Sequence, residues 1–278
     1  MLRYFTTLKS DEISSIAIGG FDGMHLAHQK LIEKLDEKGV ILVIDKGFSN
    51  LTCGEDRCEF VKNGCVFLDL ADVKQKSANE FVQFLKDEFK SLKRVVVGYD
   101  FRFGKDRKGS SKDFEKEFEV VVVDEVVVDG VSVHSQVIRE FIQKAEIKKA
   151  NSLLGREYAL EFKTKTGQGL GSKKLVATIN LYHDKACLIP KDGVYVTKSL
   201  VDGKVFKSVT FIGKRQSVDG EFSIETHLLD TNLNYLPKKV KVFLVDFVRD
   251  NKRFDTLEQL KTQIYHDIKV AKETLDKK

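Results

Sequence analysis

The 278-residue chain is 42% apolar and 10% aromatic, which suffices for two folded domains and excludes a largely disordered protein. No apolar run approaches the roughly 20 residues of a membrane-spanning helix, and the N-terminus lacks the apolar segment of a secretory signal, so we expect a cytoplasmic protein without membrane contact. Residues 1–155 carry 24 basic and 26 acidic side chains, whereas residues 156–278 carry 23 and 16. This basic second half is compatible with a polyphosphate ligand, with nucleic acid, or with an ordinary lysine-rich surface.

The first half alternates short apolar runs with amphipathic segments. Helical spacing is found over His25–Lys38 and Ser77–Leu92, and again over Gln136–Leu154, where Gly155 is placed to end the helix. The runs typical of buried strands are Ile13–Gly20, Val40–Asp45, Val66–Leu70, Val95–Gly98 and Val120–Val128. This alternation predicts an α/β domain with a doubly wound parallel sheet over residues 1–155.

In the second half, apolar and polar residues alternate with a period of two. The alternating segments are Ala159–Thr166, Val176–Tyr182, Val194–Ser199, Val205–Ile212, Phe222–Leu228 and Val240–Phe247. Gly, Asp and Asn turns separate them, which predicts a small antiparallel six-stranded β-barrel over residues 156–278. A helix over Thr256–Leu275 is expected to close the domain.

The stretch IAIGGFDGMHLAHQKLI carries the strongest chemical signal. A strand ends at Gly19 and Gly20, a turn containing Asp22 follows, and His25 and His28 fall three residues apart at the start of a helix. At that spacing both imidazoles project to one side, beside the unpaired N–H groups of the helix terminus. The pattern predicts a phosphate site where two histidines stabilise charge on a nucleotide, the alternative being two ordinary helix histidines.

These residues resemble the HxGH class of nucleotidyltransferases. The longer match GGFDGMHLAHQ is similar to the opening of bacterial bifunctional riboflavin kinase/FAD synthetase, with Ala27 in place of the family's glycine. The resemblance implies a Rossmann-like domain in which His25 and His28 are catalytic. It also assigns ATP binding to Gly19, Gly20, Phe21, Asp22, His25 and His28.

Two further segments of the first half resemble the same family. In VVVGYDFRFGKDRKG, Asp100 follows a strand at the edge where open α/β sheets bind ligands, the alternative being an ordinary turn. In HSQVIREFI, Ser135 is placed to cap the next helix, and Arg139 is implied to neutralise departing pyrophosphate. Capping alone is the alternative for Ser135. The family's proline- and histidine-containing segment is not recognisable in IDKGFSNLT.

The second half resembles the riboflavin kinase module of that family. GQGLGSKKLVATIN retains Gly167 and Gly171, implied to contact ATP, and Thr178 and Asn180, implied to hold Mg²⁺. IETHLLD assigns the general base to Glu225. The terminal VDFVRDNKRFDTLEQLKTQIYHD implies a flavin cleft at Arg249 and Phe254. Several glycines and prolines of the family's phosphate-binding segments are replaced, and two polar residues on a solvent face are the alternative for Thr178 and Asn180.

Three cysteines, Cys53, Cys58 and Cys65, lie close together in the sequence. A zinc site is one interpretation, but the spacing of a CxxC motif is missing and no histidine lies nearby. We therefore expect reduced, partly buried thiols.

The resemblance implies an enzyme that uses ATP and Mg²⁺ to phosphorylate riboflavin to FMN in residues 156–278 and to adenylylate FMN to FAD in residues 1–155. The first alternative is an FAD synthetase with a non-catalytic kinase domain. The second, less favoured, is a nucleic-acid-binding barrel fused to a transferase-like domain.

Overall fold

The computed structural model describes residues 2–47, 50–166, 176–183, 186–217, 219–231 and 233–277. They form two compact units, Met1–Ser135 and Gln136–Lys278. The division between these compact units lies before Gly155, and the domain boundary at Gly155 stays a prediction. No helix that the structure describes has both the length and the apolarity needed to span a membrane.

The first unit is built on a six-stranded sheet of order β1-β4-β3-β2-β5-β6. The strands are β1 (Leu2–Thr6), β2 (Ser15–Gly19), β3 (Gly39–Asp45), β4 (Gly64–Asp69), β5 (Arg94–Gly98) and β6 (Glu119–Val123). β2 to β6 run parallel, which confirms the doubly wound sheet, and β1 adds an antiparallel edge that the sequence patterns did not predict.

Helices cover the sheet because alternate strand residues are buried on opposite faces. One core joins Ile16 and Ile18 to Phe81, and the other joins Ala17 to Phe21 and Met24. The helices are α1 (Leu26–Ile32), α2 (Leu70–Val73) and α3 (Ala78–Glu88), and a 3-10 helix covers Gly54–Phe60.

The strand predicted over Val120–Val128 is wrong in its second part. After β6 the chain forms a hairpin of β7 (Val127–Val128) and β8 (Val131–Ser132). Asp129 and Gly130 between them both have positive φ, as a two-residue hairpin turn of type I′ requires.

The helix predicted over Gln136–Leu154 is two helices, α4 (Ser135–Gln143) and α5 (Ile147–Leu154). Ala145 has a φ of 60° between them, which no continuous helix allows. Gly155 ends α5 in the left-handed conformation, as predicted.

The second unit contains the predicted closed six-stranded antiparallel barrel, of order β10-β13-β12-β11-β14-β9. Its strands are β9 (Tyr158–Lys165), β10 (Ile179–Tyr182), β11 (Gly193–Val201), β12 (Lys204–Lys214), β13 (Phe222–Leu228) and β14 (Lys239–Asp250). The terminal helix α6 (Leu257–Asp276) begins at the cap Thr256 and buries Ala271 and Leu275 against Val194 and Val196 of β11.

The barrel interior holds a cluster of hydroxyl side chains that the pattern did not predict. All five are fully buried, and their oxygens lie 2.7–3.3 Å from one another in successive pairs: Thr197, Ser199, Ser208, Thr210 and Thr226. Because each hydroxyl both donates and accepts, the cluster satisfies itself without water.

Candidate functional site

The loop after β2 brings the two predicted histidines together. His25 is the N-cap of α1, is 4% exposed, and accepts the backbone N–H of His28 on Nδ1 at 3.4 Å. This contact leaves Nε2 of the neutral His25 ring to carry its proton. The His28 ring stacks on that of His25, with centroids 3.6 Å apart.

Both rings open into a cavity that we call the histidine cavity. Its walls come from the ends of β2 and β5, from the segment after β6, and from the residues before α4. The predicted residues among its lining are Gly19, Gly20, His25, His28, Asp100 and Ser135. Ala27 lines it as well, so the position that departs from the family's glycine faces this space.

A second cavity of the same unit, the basic cavity, was missed by the sequence analysis. Apolar side chains of its lining include Val73, Phe81, Phe101 and Phe103, and Asp100 and Asp106 are its acidic members. Four cationic residues also line it: Lys46, Lys74, Arg102 and Arg107. An aromatic surface with a cationic rim suits a ring system that carries an anionic group. The sequence held part of the signal, because Lys46 directly follows a buried strand, whereas Lys74 follows the short helix α2.

The two cavities share one wall, made by Ile18, Gly19, Gly20, Asp100 and Phe101. These residues end β2 and β5, between which the strand order of the sheet reverses. Ligands of open α/β sheets bind at this switch point, outside the carboxyl ends of the strands. The two cavities therefore adjoin at these strand ends, so that a ligand in one can reach a ligand in the other, as transfer of a group between them requires.

Two residues predicted to contact nucleotide also have structural contacts. The carboxylate of Asp22 accepts the backbone N–H groups of Leu51 and Thr52, at 2.9 and 3.2 Å on Oδ1. Ser135 opens α4, and its hydroxyl donates to the carbonyl oxygen of Asp22 at 2.7 Å. Arg139 lies one turn further along α4 and is half-buried.

A phenol borders the histidine cavity beside His134, which replaces a serine of the family pattern. The Tyr99 hydroxyl lies 3.4 Å from Oε1 of Glu125 and 3.4 Å from Nε2 of His134. Desolvation, followed by the charges of Glu125 and Asp100, raises the pKa of Tyr99 above its ordinary value. The phenol therefore stays a hydrogen-bond donor at neutral pH.

In the second unit, Glu225 lines what we call the barrel cavity. The residues that surround it there include Thr178, Val209, Phe211, Phe254, Leu260 and Ile264. The Thr178 hydroxyl donates to Oε2 of Glu225 at 3.3 Å, and Asn180 lies directly opposite Glu225 in the β10–β13 register. Thr178, Asn180 and Glu225 thus lie on one face of the barrel, as alternation along β10 predicted. A carboxylate in the lining of a cavity can take a proton from a hydroxyl that is bound there.

Arg249 lines the same cavity, but its charge is already paired. Its Nε and Nη2 atoms donate to the Asp267 carboxylate at 2.7–3.0 Å, and Asp267 is 2% exposed. The Phe254 ring lies 5.7 Å from the Arg249 guanidinium. The ion pair joins β14 to α6, so Arg249 shapes the cavity while Phe254 offers it an apolar surface.

Two assignments cannot be compared with the fold, because Gly167 and Gly171 lie outside the described residues. The expectation of reduced thiols is wrong for Cys58 and Cys65, which form a disulfide with Cα atoms 5.2 Å apart. The 3-10 helix Gly54–Phe60 and the start of β4 bring the two cysteines within bonding distance, which the sequence spacing could not reveal.

Comparison with known proteins yields two family models. The model described as riboflavin kinase matches residues 154–275, and the model described as FAD synthetase matches residues 69–140. A bifunctional riboflavin kinase/FMN adenylyltransferase of Buchnera aphidicola is 27% identical over 95% of each chain. The trifunctional protein RibF/MnmA of Mycoplasmoides gallisepticum is 30% identical over 92% of this chain, which spans 39% of that longer protein.

A solved structure shares the fold. The crystal structure titled macrolide-efflux protein from Streptococcus pneumoniae covers 96% of both chains with a TM-score of 0.84 at 24% identity. At that identity the likeness supports the architecture alone.

Proposed function

This chain belongs to the bifunctional riboflavin kinase/FMN adenylyltransferase family, and on that premise we propose how its two units perform the two reactions. The chain phosphorylates riboflavin to FMN and adenylylates FMN to FAD, with ATP as co-substrate in both steps. One observation carries the residue assignment: the stacked histidines open into a cavity that shares its glycine wall with a second, basic cavity.

Adenylyl transfer is proposed to occur where the two cavities adjoin. ATP occupies the histidine cavity, and a phosphate oxygen of FMN attacks the α-phosphorus from the basic cavity. A bond forms between the two phosphates while the bond from the α- to the β-phosphate breaks, and pyrophosphate leaves. His25, through its Nε2–H, and His28 stabilise the negative charge that develops on the α-phosphate. Arg139 is proposed to neutralise the departing pyrophosphate.

The basic cavity suits FMN on chemical grounds. Its phenylalanines offer an apolar surface to the flavin ring, and its four cations favour the phosphate, which carries the negative charge of the acceptor. Riboflavin, which lacks that phosphate, gains none of this attraction. The cavity therefore supports FMN rather than riboflavin as the acceptor in the first unit.

Riboflavin phosphorylation is assigned to the barrel cavity. The apolar lining from β12 and α6 holds the flavin ring, and Glu225 takes the proton of the ribityl hydroxyl as that oxygen attacks the γ-phosphorus of ATP. The bond from the β- to the γ-phosphate then breaks and ADP leaves. The hydroxyl of Thr178 and the amide oxygen of Asn180 are oxygen donors beside the carboxylate, so they fit Mg²⁺, which would neutralise phosphate charge when bound.

The two alternative functions lack support. A barrel without kinase activity had no motivation beyond lost glycines and prolines, whereas Glu225, Thr178 and Asn180 share one face of the barrel. A nucleic-acid-binding barrel had only the positive charge of the second half in its favour. The cytoplasm, where ATP is made available to biosynthetic enzymes, remains our expected compartment.

If the two reactions use separate sites, a single substitution should abolish one reaction and spare the other, which tests the assignment of the residues to the two sites. His28→Ala is expected to stop FAD formation from FMN and ATP while FMN formation from riboflavin continues. Glu225→Gln is expected to do the reverse. Products are separated by chromatography after incubation with Mg²⁺ and ATP, and a melting curve establishes that each variant is folded. Loss of both reactions in either folded variant would contradict the assignment.

A further inference from the structure

The loop that carries the histidines contains two strained residues. Phe21 and Met24 have φ values of 51° and 43°, in the left-handed region that side chains other than glycine rarely adopt. Both are fully buried, so the loop cannot relax by turning them towards solvent. Such a conformation persists only where the surrounding structure imposes it.

A buried arginine lies behind this loop and lines neither the histidine cavity nor the basic cavity. Arg57 is 3% exposed, and its Nη1 atom donates to the carbonyl oxygen of Gly20 at 2.9 Å. Its Nε atom donates to the carbonyl of Gly54 at 2.9 Å, which anchors the same side chain to its own 3-10 helix. The guanidinium carbon also lies 4.8 Å from the centroid of the Phe67 ring.

The site of Arg57 is unfavourable for a charge, so the residue needs an explanation beyond packing. Burial lowers the pKa of its guanidinium, while the charges of Asp45 and Asp22 act in the opposite direction. An apolar side chain in its place would leave the carbonyl oxygens of Gly20 and Gly54 without this donor. The two carbonyl contacts use the planar fork, which holds two acceptors at a fixed separation.

The contact with Gly20 controls the peptide that begins the strained segment. Because the peptide unit is planar and trans, fixing the Gly20 carbonyl towards Arg57 directs the N–H of Phe21 to the opposite side. It also fixes the orientation at which the chain enters Phe21 and, through the loop, His25. Gly20 itself lines both the histidine and the basic cavity, so a rotation of this peptide changes the wall between them.

We propose that Arg57 is a positioning residue for adenylyl transfer, which holds the Gly20 peptide, and with it the wall and the histidines, in the arrangement that the reaction requires. The proposal rests on the proposed function of the first unit. It extends the site to a residue that contacts neither cavity and acts only through the backbone of the loop.

The test compares Arg57→Met and Arg57→Lys with the unchanged chain. In Arg57→Met both carbonyl contacts are lost, so the kcat for FAD formation is expected to fall about 10- to 100-fold, while the KM for FMN changes less than about threefold. Arg57→Lys retains the charge and a donor, and is expected to lose only about three- to tenfold. A packing role alone would predict no such rescue by lysine.

Arg3→Met is the matched control. The Arg3 guanidinium carbon lies 5.3 Å from the centroid of the same Phe67 ring, but its hydrogen bonds go to Asp45 and Asp69 rather than to the loop. Its kcat is expected to be unchanged. The kinase reaction of each variant, measured in parallel, reports on the second unit, and melting curves report on folding.

Each outcome decides between the two ideas. If the chain without substitutions makes no FAD, the proposed function is overturned, and the role of Arg57 is overturned with it. If the chain without substitutions makes FAD, and a folded Arg57→Met variant makes it with the same kcat, only the role of Arg57 is overturned. Should Arg57→Met fail to fold, a folded Arg57→Lys variant with undiminished kcat overturns it, and a reduced kcat supports it.

Discussion

The hydroxyl of Ser223 donates a hydrogen bond of 2.7 Å to Oε1 of Glu225. Ser223 is 3% exposed and lies two residues before Glu225 on β13. The other carboxylate oxygen accepts the Thr178 hydroxyl at 3.3 Å, and Nη1 of Arg215 lies 3.7 Å from Oε1. The carboxylate assigned as general base is therefore held from both sides.

Removing that hydroxyl should weaken the kinase reaction only. In Ser223→Ala the carboxylate loses a hydrogen bond that orients it, which is worth about 1 kcal/mol. We therefore expect the kcat for FMN formation to fall about three- to tenfold. The KM for riboflavin should stay constant because Ser223 does not line the barrel cavity. Steady-state assays on Ser223→Ala and on the exposed control Ser152→Ala measure this. A rise in KM with constant kcat would contradict an orienting role.

The cations of the basic cavity should determine affinity for FMN. Lys74→Gln and Arg107→Gln each remove one charge near the proposed phosphate, so the KM for FMN is expected to rise about three- to tenfold, with a larger effect at low salt. The KM for ATP should not change. Lys90→Gln, at an exposed position after α3, is the control. A change in the KM for ATP alone would mean that the cavity binds the nucleotide instead.

The buried pair Arg249–Asp267 should stabilise the second unit. Arg249→Met leaves a carboxylate that is 3% exposed without its partner, which is expected to cost about 3–5 kcal/mol in the free energy of unfolding. Hydrogen exchange of β14 amides measures that free energy. Lys239→Met, which breaks the exposed pair with Glu161, should change it by less than about 1 kcal/mol. Equal effects of the two variants would show that burial of the pair is unimportant.

The hydroxyl cluster inside the barrel should also contribute to the stability of the second unit. Thr210 is fully buried and lies 2.9 Å from both Thr197 and Thr226, so Thr210→Val leaves two hydroxyls short of a partner. We expect a loss of about 1–3 kcal/mol in stability. Thr210→Ser keeps the hydroxyl and should lose less, as exchange of barrel amides can determine. The reverse order would mean that the methyl group matters more than the hydrogen bonds.

Much of the fold follows from the periodicity of the apolar residues. Buried parallel strands and alternating barrel strands both leave strong patterns, so both architectures and the six barrel strands were predictable. The patterns did not predict β1, because a half-exposed edge strand lacks a continuous apolar run. They also missed the break at Ala145, because a single residue with positive φ leaves the helical spacing around it intact.

The site was predictable where one short segment carries the chemistry. His25 and His28 lie in a single motif, and the structure brings their rings into contact. By contrast, the basic cavity collects residues from four separate segments, and Arg57 acts through a backbone carbonyl that no residue pattern records. Asp22 accepts two backbone N–H groups of a neighbouring loop, a contact that no residue pattern records, and its assignment to nucleotide stays a prediction.

The shared lining of the histidine and basic cavities also affects how the product FAD dissociates from the enzyme. A dinucleotide product keeps its flavin and adenylate halves covalently joined, so it occupies both cavities at once. When one half detaches, the other keeps it at high effective concentration near its cavity, and departure requires both halves to leave together. FAD should therefore dissociate more slowly than either FMN or ATP.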